Sequence, residues 1–544
     1  MSTMNLKLVA AAAMMLTATA SSAVGYEVWM SDQTNSQGID AVNPNGTDGA
    51  FLRIWKGSDL DTNPTAAPHV ALDVAALFPN ALASTGTRTK QLHGMIPSPN
   101  HNYMVLSFVA SGHIGLVDAR TRQAVALWRS TGTINGNKDG AGNTIAGSTA
   151  SGRQNHLTLW SPDGKHLIVA NQNGKLLERI DVTWDSAGNI TSAVLDKAAT
   201  LDVAGDLTSR LAAGQNAVAD ASLPLGTVSG SYDTSQTALT PAGQHKQNAT
   251  TRPNNAVICG GMAADGRTTF VTLAGGGLFA VDFTATPMRI VAEWDKSNIS
   301  PAGCGAAEVA GSTWINAGVY AANVASFAMY KLPTNWPAAP AYYPPNVPKP
   351  KVIFQDPAHG TTVAPTNAIQ GNNRDAHGFI WNSTRSYIHQ FDRVKNNVEV
   401  FQLATGARNT YDLTTVDGSV GGAPASVCGT TAGANYDSAN PTTQVPDGHP
   451  NAVSVSNDPS PDLLDLSPDG SRIFVSTRGP KPLSVSHAAA GSCPGLGIVT
   501  LSADGKKGVL TSVIPTTWLN FPGTTNISDP HAVIVRMKDD TDMY

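Results

Sequence analysis

A short phrase recurs along this chain: a histidine or cysteine opens a hydrophobic stretch that ends in a polar turn. It reads His93-GMIPSPN, His156-LTLWSPDG, Cys259-GGMAADG, His377-GFIWNST and His531-AVIVRMKDD. Such self-similarity means one supersecondary unit copied many times, each copy burying its apolar face against the next. The residue that opens each copy therefore occupies one structural position, repeated around the fold.

Alternating apolar runs bounded by Gly, Asn and Asp turns group into units of about four strands and about 40 to 50 residues each. The second unit is clearest: His156-LTLW, the turn SPDG, then HLIVAN, KLLERIDV and ITSAVLD. On this template the first unit runs from about Lys90 to Arg129 and the third from about Asn255 to Trp294. The fourth opens at Cys304, the fifth at His377 and the sixth at Asp462. Beyond these, the C-terminal end supplies one strand, His531-AVIVRM, while YEVWMSD and FLRIWKG near the N-terminus match the second and third strands of a unit. Joined, the two ends complete a seventh unit. The predicted fold is all-β, a seven-bladed β-propeller closed by a blade shared between the termini, which removes exposed sheet edges.

The SPDG turn, the VAN-like strand and the Asp-ending third strand (IGLVDA, FAVDF, LERIDV) resemble the YVTN-type repeat of secreted bacterial propellers. The third and fourth units depart from it, with MAADG and EVAGST in place of SPDG. The resemblance implies the fold and says little of activity, because propellers host unrelated functions.

Composition agrees with a turn-rich β protein: charged residues are only 14 %, with 51 Gly and 34 Pro. A net charge of −5 and the absence of any Lys/Arg cluster exclude the footprint of a nucleic-acid binder. Residues 1–23 read as a secretory signal with a short apolar core and small residues before Ala23. The mature region, 24–544, is then a single propeller domain without a transmembrane anchor, exported to the periplasm or beyond. Long insertions are expected at about 204–254, 333–372 and 417–461, the middle one Pro-rich and stiff. In an oxidising compartment Cys259, Cys304, Cys428 and Cys493 pair by default. Neighbouring inner strands favour Cys259 with Cys304, leaving Cys428 with Cys493.

The first strand of each blade lines the central channel. Counting back five residues from the turn places His93, His156, His377 and His531 at equivalent positions, with Asp462 in the sixth unit and the two cysteines close to that position in the third and fourth. Four imidazoles and a carboxylate suit a transition metal, copper preferred, at the channel. The arrangement is similar, by position only, to the His-lined copper propellers of nitrous oxide reductase and of the selenium-binding protein and methanethiol oxidase family. No CxxxC-type dinuclear copper motif accompanies it here.

Glu308, Arg374 and His449 are candidates for further ligands or supporting groups, with Arg153, Asp375 and His359 behind them. His101, His113, His166 and His389 read as structural. The leading function is a metal-binding propeller acting as an oxidoreductase on a small substrate. Its competitor is a structural reading, in which each histidine only bonds neighbouring backbone and the propeller is a scaffold for a protein or polysaccharide. A lactonase-like hydrolase, built on Asp462, Glu308 and Arg374, is the third alternative. No nucleophile elbow, Walker loop, HExxH or CxxCH occurs.

Overall fold

Each unit of the repeat becomes a four-stranded antiparallel sheet, and seven such sheets form a seven-bladed propeller. The structure is a computed structural model. It describes residues 25–33, 49–132, 152–205, 207–212, 215–238, 255–301, 303, 305–309, 311–318, 327–333, 343, 346–356, 374–393, 395–413, 435–437, 440–445, 452–454, 459–479, 491, 493–516 and 528–538. The signal segment expected over 1–23 lies outside them, as do His359, His449, Cys304 and Cys428.

The inner strands, in ring order, are Leu92–Pro97, Asn155–Trp160, Val257–Met262, Ala306–Val309, Ala376–Trp381, Pro461–Leu466 and Pro530–Met537. Each blade then runs outward through three further strands. In the seventh blade these come from the other end of the chain: Tyr26–Asp32 pairs with Pro530–Met537, and Phe51–Lys56 and His69–Asp73 follow. The shared closing blade is therefore present as the repeat implied.

Turn chemistry explains the regular spacing. In the second blade Ser161 Oγ donates to Asp163 Oδ1 at 2.6 Å, and Gly164 takes a left-handed φ of +70°. The sixth blade repeats this with Ser467, Asp469 and Gly470. A side chain mimicking a backbone turn, followed by a glycine free of Cβ clash, returns the chain tightly into the next strand.

Both faces of each sheet are covered by neighbouring blades, so the core is a series of interblade layers. At the closure, Val28, Met30, Val533 and Val535 pack with Phe474, Leu496 and Ile498 of the sixth blade. Each such side chain, fully buried, stabilises by about 1.5–3 kcal/mol. Part of the first insertion extends two blades. Val218–Ala219 pairs with the outer strand Gln123–Arg129, and Gly226–Ser229 runs parallel to Ile190–Asp202. A three-stranded sheet of Asn435–Asp437, Asn440–Val445 and Ala452–Ser454 belongs to the third insertion. Among the described residues, no helix is long and apolar enough to cross a membrane.

Candidate metal centre at the propeller axis

Six of the inner-strand positions singled out by the repeat fall in a break of strand register; the seventh, Cys304, lies outside the described residues. The shifts lie between Leu92 and Gly94, Asn155 and Leu157, Val257 and Gly260, Ala376 and Phe379, Pro461 and Leu464, and at the Pro530–Ala532 end of the closing strand. They contain His93, His156, Cys259, His377, Asp462 and His531. A β-bulge interrupts the alternation of side chains and re-aims one of them, here into the space between blades. The glycine after two of the histidines permits the close approach: a Cβ on Gly378 would meet Leu464 Cδ2 at 2.4 Å, and one on Gly94 would meet Leu157 Cδ1 at 2.9 Å.

The bulge carbonyls are held across blade boundaries. Asn316 Nδ2 donates to His377 O at 2.6 Å, and Ser476 Oγ donates to His531 O at 2.7 Å. The rings then gather. His93 stacks on His531 with centroids 3.6 Å apart, lies edge-on to His156 at 4.3 Å, and His531 lies edge-on to His377 at 5.2 Å. All four histidines are buried.

In every one of the four, Nδ1 makes a contact supplied by the surrounding fold. His531 Nδ1 donates to His93 O at 2.6 Å, and His377 Nδ1 contacts Asp462 Oδ1. His156 Nδ1 lies 3.4 Å from Cys259 Sγ, and His93 Nδ1 lies 2.9 Å from Gln33 Nε2. A carbonyl or carboxylate can only accept, so His531 and His377 carry their proton on Nδ1 and keep a lone pair on Nε2. Gln33 as oriented donates to His93, which would place that proton on Nε2; the opposite amide orientation reverses the assignment.

Burial favours the neutral imidazole throughout. It pushes His156 down to about 3, helped by the charge of His377 and of Arg393. His531 is pushed well below its ordinary value by burial, against the pull of Asp462. His377 moves the same way, through burial and then Arg393. Burial alone would raise Asp462, but Arg393, His377 and His531 overcome it and hold that carboxyl well below its ordinary value.

Asp462 is the hub of a buried ion-pair chain. Arg393 Nη1 reaches it at 3.2 Å and Arg478 Nη1 at 2.7 Å. Arg478 also grips Asp529 at 2.7 and 2.8 Å, and Arg393 Nη2 reaches Asp375 at 2.8 Å. Among the described residues this chain sets three carboxylates against two guanidiniums beside the histidines. The compact metal-capable group among the described residues is His377, Asp462 and His531, whose ligand atoms lie within 4.8 Å of one another. His93 and His156 border this group rather than joining it.

The other sequence candidates lie elsewhere. Arg374 pairs with Asp392 and Glu399 of the fifth blade at 2.7 Å each and stacks on Phe327 of the fourth at 3.8 Å, so it braces the seam between these two blades. Glu308 Oε2 accepts from Ala264 N at 2.5 Å, at the turn of the neighbouring blade. Asp375 is at the axis, through Arg393. Neither Cys259 nor Cys493 is a free thiol; their expected partners lie outside the described residues.

Arg393, Arg478, Asp529 and Gln33 were missed by sequence reasoning, although a signal existed. Gln33, Arg393 and Arg478 each follow the second strand of a blade directly, and the backbone N–H of each bonds the carbonyl of the residue just before the inner strand. Registering that position as well would have shown arginine only in the fifth and sixth blades, the two bearing His377 and Asp462.

No family model and no curated protein sequence matches the chain. Among solved structures it is similar to a protein from Lactobacillus plantarum, at 9 % identity, covering 94 % of this chain and 99 % of that one with a TM-score of 0.44. A periplasmic gluconolactonase of Pseudomonas aeruginosa gives 9 % identity, 94 % and 99 % coverage and a TM-score of 0.41. Hydrazine synthase of Kuenenia stuttgartiensis gives 10 % identity, 75 % and 76 % coverage and a TM-score of 0.35. Likeness at this level says nothing of chemistry, and the propeller assignment rests on the chain's own sheets.

Proposed function

We propose that the chain is a secreted propeller that holds a transition metal, copper by preference, at its axial histidines and uses it in redox chemistry on a small substrate. The observation that carries this reading is the tethering of His377 and His531 through Nδ1, to the Asp462 carboxylate and to the His93 carbonyl. Histidines that ligate metals generally donate their other ring N–H to a carboxylate, carbonyl or similar acceptor, which fixes ring and tautomer.

His377 and His531 fit best, since both present Nε2 as a lone pair. His531 Nε2 lies 3.8 Å from Asp462 Oδ2, a separation that one ion about 2.0–2.2 Å from each atom spans. Asp462 serves either as third ligand or as the group orienting His377, and His93 or His156 completes the set. Neutral imidazoles bind a cation without first losing a proton. When bound, copper would supply one-electron exchange with a coordinated substrate. Secretion is supported by the signal-like N-terminus and by the absence of free thiols at Cys259 and Cys493.

Reconstitution of the purified protein with copper or zinc, followed by desalting and metal analysis, tests the reading. About one equivalent is expected, falling by at least about tenfold in the His377→Ala/His531→Ala double variant. Less than about a tenth of an equivalent in the wild type overturns it.

A second reading, a lactone-opening hydrolase, is favoured by one observation: the His377–Asp462 pair flanked by Arg393 and Arg478 is an acid–base dyad beside cations that could polarise a carbonyl. Lactone hydrolysis by chelator-treated protein, lost in His377→Ala, would select it over the metal reading.

A further inference from the structure

A second concentration of charge lies between the first two blades, apart from the axis. Lys90 precedes the inner strand of the first blade, His113 opens its third strand, and Arg129 closes its fourth. Arg153 precedes the inner strand of the second blade. In an antiparallel meander these positions share one edge of the sheets, the edge that also bears the axial histidines. All four side chains are buried.

Arg153 is the centre of this group. Its Nη2 donates to Gln215 Oε1 at 2.6 Å, while Nε and Nη1 are buried without a hydrogen-bond partner among the described residues. Among the described residues, Glu178 is the carboxylate whose field acts on it, with the phenol of Tyr232 beside it. The oxygens of Glu178 are already engaged, Oε1 by Thr131 N and Oγ1 at 2.9 and 2.8 Å, and Oε2 by Asn171 Nδ2 at 3.0 Å. Arg129 finds only carbonyls, Ser111 O at 3.1 Å and Thr85 O at 2.9 Å.

Among the described residues, the two guanidiniums of Arg129 and Arg153 face the single carboxylate of Glu178, a formal excess of +1 in a buried region. Neighbouring groups register it. Burial and the charge of Arg153 push Arg129 down to about 9. Burial and then the fields of Arg129, Arg153 and Lys90 hold His113 well below its ordinary value. A buried guanidinium with N–H groups left unpaired costs several kcal/mol unless an anion compensates it. Guanidinium N–H groups match the oxygens of carboxylates and phosphates.

We propose that Arg153, supported by Arg129, is the binding site for an oxyanion carried by a small ligand, a carboxylate or a phosphate, lodged between the first and second blades. The nitrogens Nε and Nη1 donate to it, and the surplus of positive charge around them supplies the field that draws it in. The site is independent of the axial metal.

Chelator-treated protein is titrated with inorganic phosphate, acetate or chloride at matched ionic strength, following thermal midpoint and calorimetric heat. Saturable stabilisation by phosphate or acetate, with chloride inert, is expected, and the more effective of the two identifies the class. Arg153→Gln should lose binding by at least about tenfold while melting no lower than the wild type in chloride alone, since an uncompensated buried cation has been removed. No stabilisation beyond that of chloride up to about 10 mM overturns the proposal, as does binding by Arg153→Gln within about twofold of the wild type. If Arg153→Gln does not fold, Arg153→Lys decides. It keeps the charge and loses the planar donors, so undiminished affinity overturns the proposal and at least about tenfold weaker binding supports it.

Discussion

His531 Nδ1 donates a hydrogen bond of 2.6 Å to the carbonyl oxygen of His93, joining the closing strand near the C-terminus to the inner strand of the first blade. Because a carbonyl cannot donate, the bond also decides which ring nitrogen of His531 is left to face the axis. One contact thus serves ring closure and the orientation of the His531 imidazole together. His531→Ala removes a buried bond and a stacked ring, and should cost about 2–4 kcal/mol of stability by urea denaturation. Zinc should raise the melting temperature of the wild type but not of this variant; an equal rise in both would remove His531 from the ligand set.

Asp462 compensates two buried guanidiniums and bonds His377, so its charge matters more than its size. Asp462→Asn keeps the shape and leaves Arg393 and Arg478 short of an anion, an expected loss of about 3–5 kcal/mol. Adding Arg478→Met should restore part of that loss, because the two residues form one unit. Additive effects in the double variant would show that the ion-pair chain is not coupled.

Acid should weaken the fold through the histidines. With pKa values lowered by burial, to about 3 for His156, the folded state stays neutral while the unfolded chain takes up protons below its ordinary value of about 6.5. Stability from this source is complete above about pH 6.5 and is lost as the pH falls toward 3. Urea midpoints should therefore drop between about pH 7.5 and 5. His156→Gln should drop less than the wild type; identical slopes would mean that His156 titrates normally in the folded protein.

The architecture was legible because turn chemistry and strand periodicity are local. Ser161-Pro-Asp-Gly164 and its relatives announce each first turn, and the unmatched strands at the two ends leave one arrangement, the shared blade. The axial gathering of His93, His156, His377, His531 and Asp462 followed from registering those turns. The bulges did not, since nothing in an apolar run reveals which residue will be left without a partner across the ladder. The charge chain was hidden for another reason: Arg393, Arg478 and Asp529 stand far apart in sequence and meet only where three blades converge. Arg374 illustrates the converse, an arginine one residue from Asp375 and three from His377 that turns away into the seam between the fourth and fifth blades.

Asp465 gives the closure a pH response of opposite sign. It lies on the inner strand of the sixth blade, where Oδ2 accepts from Val535 N and Oδ1 from Leu466 N, both at 2.8 Å. Burial raises it to about 7. The folded state thus binds a proton that the unfolded chain releases above about 4, so this contribution is present at low pH and lost as the pH rises through 7. Asp465→Asn still offers Val535 an acceptor but has no charge to bury. Near pH 8.5 it should be more stable than the wild type by about 1–2 kcal/mol, and near pH 5 it should lose that advantage. Chemical denaturation of both proteins across this range checks it. Midpoints that move in parallel would mean that Asp465 is ionised throughout and that its bond to Val535 is a fixed strut of the closing blade.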